Sequence, residues 1–296
     1  MAITYLGEIL ALTTAIVWAF SVILFKKSGE SVHPIALNTF KTTLATVLLI
    51  PTLWLGGKSL FHAAPVGDYV LLLLSGAIGI AVADSMFFKS LNLLGAGLSA
   101  IVDCLYSPFI ILLSVVFIHE RLSWMQIAGV LLIISAVLTV TSRKANGTIK
   151  RHDLVRGALW GMFAMATMAV SIVMVKPLLN RSPLLWVTEI RLIGGCLFLY
   201  ALLLFHKRRK SILGSLLVAG SWKYTVVGSL LGSYVAMVLW IGGMKFTQAS
   251  TAAALNQSSN IFVFIFAAIF LKEKITAWRL LAIVIAILGV LLVTLG

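Results

Sequence analysis

The chain has 296 residues, 61% hydrophobic and 11% charged, with a mean hydropathy of +1.09. A soluble domain runs nearer half apolar and a quarter charged, so this composition excludes one and reads as an integral membrane protein. The net charge of +14, from 23 Lys and Arg against 9 Asp and Glu, comes without the polar surface that nucleic-acid binding needs, and the two cysteines fall in apolar runs and build no disulfide framework.

About 20 mostly apolar residues are needed to cross a hydrocarbon core. Ten such runs follow one another. The first begins near Tyr5, without the basic stretch of a cleavable leader, and reaches Phe25. His33–Leu55, Val66–Leu91, Gly97–Ile118 and Ser123–Ser142 come next. A basic connector at 146–154 leads to Val155–Val175, Pro183–Phe205, Lys223–Phe246, Ala249–Leu271 and Thr276–Leu295. The runs are continuous rather than alternating, which excludes a β-barrel.

Charge is spread unevenly among the connections. Sixteen Lys and Arg residues fall in the odd-numbered connections and five in the even-numbered ones; Lys41 and Arg191 lie inside spans. Ten of the sixteen come from the two connections around 143–156 and 207–223. The positive-inside rule puts the odd connections in the cytoplasm, and with ten spans both termini outside a multi-pass cell (inner) membrane protein.

The chain also repeats itself. At an offset of 150, Ser21 meets Ser171, Lys26 meets Lys176 and Lys41 meets Arg191. At an offset of 153, Gly79 meets Gly232, Ala96 meets Ala249, Asp103 meets Asn256, Phe117 meets Phe270 and Glu120 meets Glu273. Five spans per half is an odd number, so the second half must enter the membrane upside down. The expected fold is therefore an all-α polytopic membrane protein, ten transmembrane helices in two inverted five-helix repeats over 1–145 and 155–296. In transporters that arrangement puts the substrate near the midplane, between the halves.

Several segments resemble the EamA family of the drug/metabolite transporter superfamily. Ala15-Ile16-Val17-Trp18-Ala19-Phe20-Ser21 is similar to that family's first-helix segment. Asn92 to Ala100, followed by Pro108 and then Glu120-Arg121-Leu122, is similar to its fourth-helix signature. Thr247-Gln248-Ala249-Ser250 leading to Lys272-Glu273-Lys274 is the second copy, with Ile261 in place of the proline equivalent to Pro108. Gly129 and Gly289 stand where the family carries glycine in its fifth and tenth helices. The resemblance covers essentially the whole chain and implies a ten-helix carrier of small metabolites, without implying which.

Ionisable groups in mid-membrane are expensive and so are candidates for function. Glu8, Lys41, Asp84, Asp103, Glu189 and Arg191 lie inside the spans. At 1.5 Å per residue, Lys41, Asp84 and Asp103 lie roughly 10 Å below the odd face, and Glu189 and Arg191 as far below the even one. Ser99, Asp103, Tyr106 and Ser107 share a helical face, and Asn256 and Asn260 share another. Asp84 shares a face with Phe87 and Phe88, Phe87 aligns with Trp240, and Trp18 and Trp240 stand apart from the interfacial tryptophans. Two readings stay open: a substrate or proton site, or a static cluster in which Asp84 and Asp103 neutralise Lys41. Lys41 and Arg191 have a further alternative, that of snorkelling to the interface. Glu8 reads as interfacial or as a partner of Arg191, Ser21 and Ser171 as packing residues, and Glu120 and Glu273 as structural.

Deep acids outnumber deep bases three to two. This favours a secondary-active carrier, an exporter or proton-coupled exchanger, for a small cationic or zwitterionic metabolite. An anionic or phosphorylated substrate held by Lys41 and Arg191 is the alternative. An intramembrane enzyme is disfavoured because all five histidines fall in connections or at span ends, and a channel because no filter sequence is present. No catalytic, cofactor or metal signature is legible. The expected partners are the metabolite, protons and the lipid bilayer, with the protein a monomer.

Overall fold

The computed structural model describes residues 5–57, 59–118, 123–142, 150–179, 181–218, 220–246 and 255–295. Among them every regular element is a helix. In the first half these are α1 (Leu6–Ser28), α2 (Pro34–Leu55), α3 (Val66–Gly76), α4 (Asp84–Leu94), α5 (Ala96–Asp103), α6 (Tyr106–Ile118) and α7 (Trp124–Ser142). In the second they are α8 (Arg151–Leu179), α9 (Leu184–Phe205), α10 (Arg209–Gly214), α11 (Trp222–Ser229), α12 (Ala236–Phe246), α13 (Ser259–Phe270) and α14 (Ala277–Leu295).

Eight helices among the described residues are long and apolar enough to cross a membrane, against the ten expected. The apolar helices Trp124–Thr139 and Leu255–Phe270, at the fifth and ninth runs, are shorter. Glu120-Arg121-Leu122, Thr247–Ser250 and the connector's first residues, 146–149, lie outside the described residues. The connector also ends earlier than expected: α8 begins at Arg151, because polar residues such as Asp153 in its first turn extend the helix beyond its apolar stretch.

Local chemistry sets several boundaries. Pro34 opens α2 behind His33, whose Nδ1 accepts the N–H of Ile35 at 3.3 Å. Gly95, at φ +84°, separates α4 from α5 in a conformation only glycine adopts freely. The fourth run is not the continuous helix expected. It breaks at Cys104–Leu105, since Pro108 cannot donate to the Cys104 carbonyl, which takes the N–H of Ser107 at 3.3 Å instead. In the ninth run the break falls at Ser258, in the 153-residue register with Leu105.

A second pair of irregularities keeps the same register. Ala77–Ala83, between α3 and α4, is π-helical, and so is Leu230–Val235, between α11 and α12. Gly79 in the first π segment lies against Ser171 of α8, and Gly232 in the second against Ser21 of α1. Helix contacts cross the halves in matching pairs: α1 packs on α11, α12 and α13, while α8 packs on α3, α4, α5 and α6. α2 meets α9, α5 meets α13, and α7 meets α14. Beyond each other, α7 and α14 each meet α5 more than any other helix.

Hydrogen bonds between connections respect the parity of the runs. Odd connections join odd ones: Lys26 Nζ donates to the Asn92 carbonyl at 2.9 Å, the His33 N–H to Ser215 Oγ at 3.0 Å, and the Ala96 N–H to Glu273 Oε1 at 2.8 Å. Even connections join even ones, through Arg181 with Asp68 at 2.8 Å and Trp186 Nε1 with the Leu60 carbonyl at 3.0 Å.

Candidate functional site

Asp84 opens α4 directly after the π segment, and Lys41 faces it from α2. Lys41 Nζ donates to Asp84 Oδ2 at 2.6 Å, with the two side chains 8% and 15% exposed. Either charge alone at this depth would be strongly destabilising; the short contact and the second charge offset that. Phe88, one turn along α4, places its ring 5.8 Å from Lys41 Nζ, and Phe87 packs on Phe88 with ring centres 5.5 Å apart. Asn38, one turn before Lys41, lies with its amide nitrogen 2.8 Å from the Ile80 carbonyl, 3.1 Å from that of Ala81 and 2.9 Å from Ser85 Oγ. It satisfies carbonyls of the π segment and so fixes where Asp84 emerges.

Arg191 approaches from α9 and is held by serines of both halves. Its Nε donates to Ser75 Oγ at 2.9 Å and its Nη2 to Ser171 Oγ at 3.0 Å. Ser171 Oγ in turn donates to the Ser75 carbonyl at 2.8 Å. Asp84 and Tyr106 lie close enough to act electrostatically on Arg191. The guanidinium is thus positioned by two neutral hydroxyl acceptors, without a carboxylate in direct contact among the described residues.

The remaining candidates distribute around this group. Asp103 ends α5 at the helix break, and its carboxylate forms no ion pair or hydrogen bond among the described residues. Tyr106 follows at the start of α6, half-buried. Across the halves, Asn260 Nδ2 lies 3.5 Å from Cys104 Sγ, and Gln257 Nε2 donates to Ser107 Oγ at 3.2 Å. Asn256 Oδ1 and Trp240 Nε1 are buried without a hydrogen-bond partner among the described residues. Glu189 is 0% exposed, and both its carboxylate oxygens lack a hydrogen bond among the described residues. Its sequence neighbour Arg191 does not reach it, since residues two apart on a helix face different directions. Trp18 and Phe87 pack into the main apolar cluster.

Several sequence expectations change. Of the two aspartates expected to neutralise Lys41, only Asp84 meets it. Ser99, Asp103, Tyr106 and Ser107 do not share one unbroken helical face, because the chain turns at Cys104–Leu105, and Asn256 and Asn260 are likewise parted by the turn at Ser258. Ser171 is more than a packing residue, since it also fixes Arg191. Glu273 is indeed structural: its Oε1 and Oε2 accept the N–H groups of Ala96 and Gly97 at 2.8 and 3.1 Å, capping α5 from the other half. Sequence reasoning missed Asn38 and Ser75. An asparagine three residues before an intramembrane lysine was a signal; a serine in an apolar run was not.

The model of the EamA-like transporter family matches the chain twice, over residues 5–142 and 155–295. An uncharacterized transporter of Archaeoglobus fulgidus is 25% identical over 287 residues, covering 97% of this chain and 97% of that protein. The uncharacterized transporter YvbV of Bacillus subtilis is 32% identical over 146 residues, 48% of this chain and 46% of that one. A crystal structure with 19% sequence identity superposes with a TM-score of 0.68, covering 98% of this chain and 96% of the other, and so shares the fold.

Proposed function

For a chain that belongs to the EamA-like transporter family, and is therefore a multi-pass membrane transport protein, we propose a secondary-active carrier of a small cationic or zwitterionic metabolite. Its two halves, residues 1–145 and 155–296 joined through 146–154, act as inverted five-helix repeats that rock about a shared site near the midplane. The paired π segments, the paired helix breaks and the two family matches support the repeat reading. Alternating access follows from it, because either half can adopt the other's arrangement.

The observation that carries the substrate reading is how the deep charges are used. Lys41 is committed to Asp84, and Arg191 to two serine hydroxyls. Asp103 and Glu189 remain without a charged partner among the described residues. An amine or a proton can be received by such carboxylates. A phosphorylated ligand would need a base to be released first. Proton exchange at Asp103 or Glu189 would supply the coupling for an exporter or exchanger. The odd connections face the cytoplasm of the cell membrane in this reading, and both termini lie outside.

A thermal-shift screen of the purified protein against amino acids, polyamines, nucleobases, quaternary amines and sugar phosphates tests the substrate class. Amine-bearing ligands are expected to raise the melting temperature, and the same ligands to be taken up by proteoliposomes under an imposed pH gradient. Stabilisation by phosphorylated compounds alone would reverse the assignment.

A further inference from the structure

A cavity of about 500 Å³ opens on the face of the odd connections, away from the charges described above. The α1–α2 turn, the end of α4 and the segment following α9 form its wall. His33, His206 and Arg208 line it as bases and Glu30 as the acid. Glu30 is already engaged by Lys27 Nζ at 3.2 Å. Each imidazole uses Nδ1 as an acceptor, His33 from the Ile35 N–H at 3.3 Å and His206 from the Arg208 N–H at 3.0 Å. The ring proton of each then sits on Nε2, which is left as its donor. The bond from the His33 N–H to Ser215 Oγ ties the two walls together, one from each half of the chain.

Apart from Glu30, which Lys27 engages, the charges around the cavity are basic. Burial, together with the charges of His206 and Lys89, holds His33 below the ordinary imidazole range. Four bases, Lys207 to Lys210, leave the end of α9 in succession, and Arg209 folds back to donate to the Leu204 carbonyl at 2.8 Å. Along the chain, Leu204 and Phe205 precede this run and Leu217 follows the cavity residue Ser215, and they are 64%, 88% and 80% exposed. A soluble anion has no use for that apolar edge, whereas a lipid has both a charged and an apolar end.

We propose that this cavity holds the phosphate of an anionic phospholipid, with Arg208, His33 and His206 donating to its oxygens and Leu204, Phe205 and Leu217 against its acyl chains. Guanidinium groups bind phosphate through paired N–H donors, and basic pockets at the cytoplasmic ends of helices select acidic headgroups. The site is independent of the transport site, and its test does not read transport.

Delipidated protein in detergent would be titrated with phosphatidylglycerol, phosphatidylcholine and glycerol phosphate, reading bound ligand by native mass spectrometry and the melting temperature alongside. Phosphatidylglycerol is expected to bind and stabilise where the other two, at equal concentration, do not. The double variant Arg208→Gln, His206→Gln should weaken it about tenfold or more. Lys150→Gln with Arg151→Gln, charge changes outside the cavity, should leave it bound. Glycerol phosphate binding as well as phosphatidylglycerol would overturn the lipid as source. Phosphatidylcholine binding as well, an unaffected double variant, or an equal loss in the control pair would overturn the site. The comparison of ligands on the unaltered protein needs no variant to fold.

Discussion

Gly129 of α7 and Gly289 of α14 meet backbone to backbone: a Cβ on the first would stand 2.6 Å from the carbonyl oxygen of the second, and a Cβ on the second 2.7 Å from that of the first. No side chain fits between them. In lipid, where helices gain nothing from hiding apolar surface from one another, close approach of this kind supplies much of the association. Gly129→Leu should push the two helices apart and destabilise the protein by about 1–3 kcal/mol. Thermal unfolding in detergent would show this as a lower midpoint, and an unchanged midpoint would mean that the contact contributes nothing.

The Lys41–Asp84 pair should behave as a unit. Lys41→Met alone, or Asp84→Asn alone, leaves one deep charge uncompensated, a loss of about 3–5 kcal/mol. The double variant should recover most of it. A double-mutant cycle in thermal unfolding checks this, and strictly additive losses would show that the two groups are not coupled.

Asp103 should behave differently from Asp84, for it has no ion-pair partner among the described residues to abandon. Asp103→Asn is expected to keep the stability within about 1 kcal/mol of the unaltered protein while abolishing transport or its pH dependence. Uptake into proteoliposomes together with a melting curve separates the two effects. Full transport in this variant would remove Asp103 from the site.

Glu273 joins the second half to the start of α5 through two N–H groups. Glu273→Ala should cost about 1–2 kcal/mol, the range for losing a helix cap. Gly95→Ala should be worse than an ordinary glycine replacement: its φ is +84°, and its Cβ would stand 2.6 Å from Glu273 Oε1. Melting midpoints check both, and tolerance of alanine at position 95 would contradict the geometry.

The sixteen-to-five distribution of Lys and Arg makes an orientation prediction. A fluorescent protein that matures only in the cytoplasm should stay dark when fused to the C-terminus and glow when inserted near Lys144. The reverse pattern would invert the orientation without altering the helices.

Composition and run length were sufficient to place the chain in a bilayer and to position most helices within a few residues, because the hydrocarbon core penalises every unpaired polar group and leaves apolar helices as the solution. The deep charges were equally conspicuous, since Lys41, Asp84, Asp103, Glu189 and Arg191 interrupt apolar runs. The break before Pro108 was also legible in principle, as proline removes a donor. What the linear order could not decide was pairing. Lys41 took Asp84 rather than Asp103 because α2 packs on α4 and the π segment turns Asp84 toward it. Arg191 took Ser75 and Ser171 because α3 and α8 both pass beside α9, and Glu189 took no hydrogen-bond partner among the described residues although an arginine stands two residues away. Both π segments are apolar runs, so hydropathy alone does not tell them from α-helix. Burial depth is written in the period and length of apolar runs; which polar group meets which depends on how helices far apart in sequence come to lie side by side.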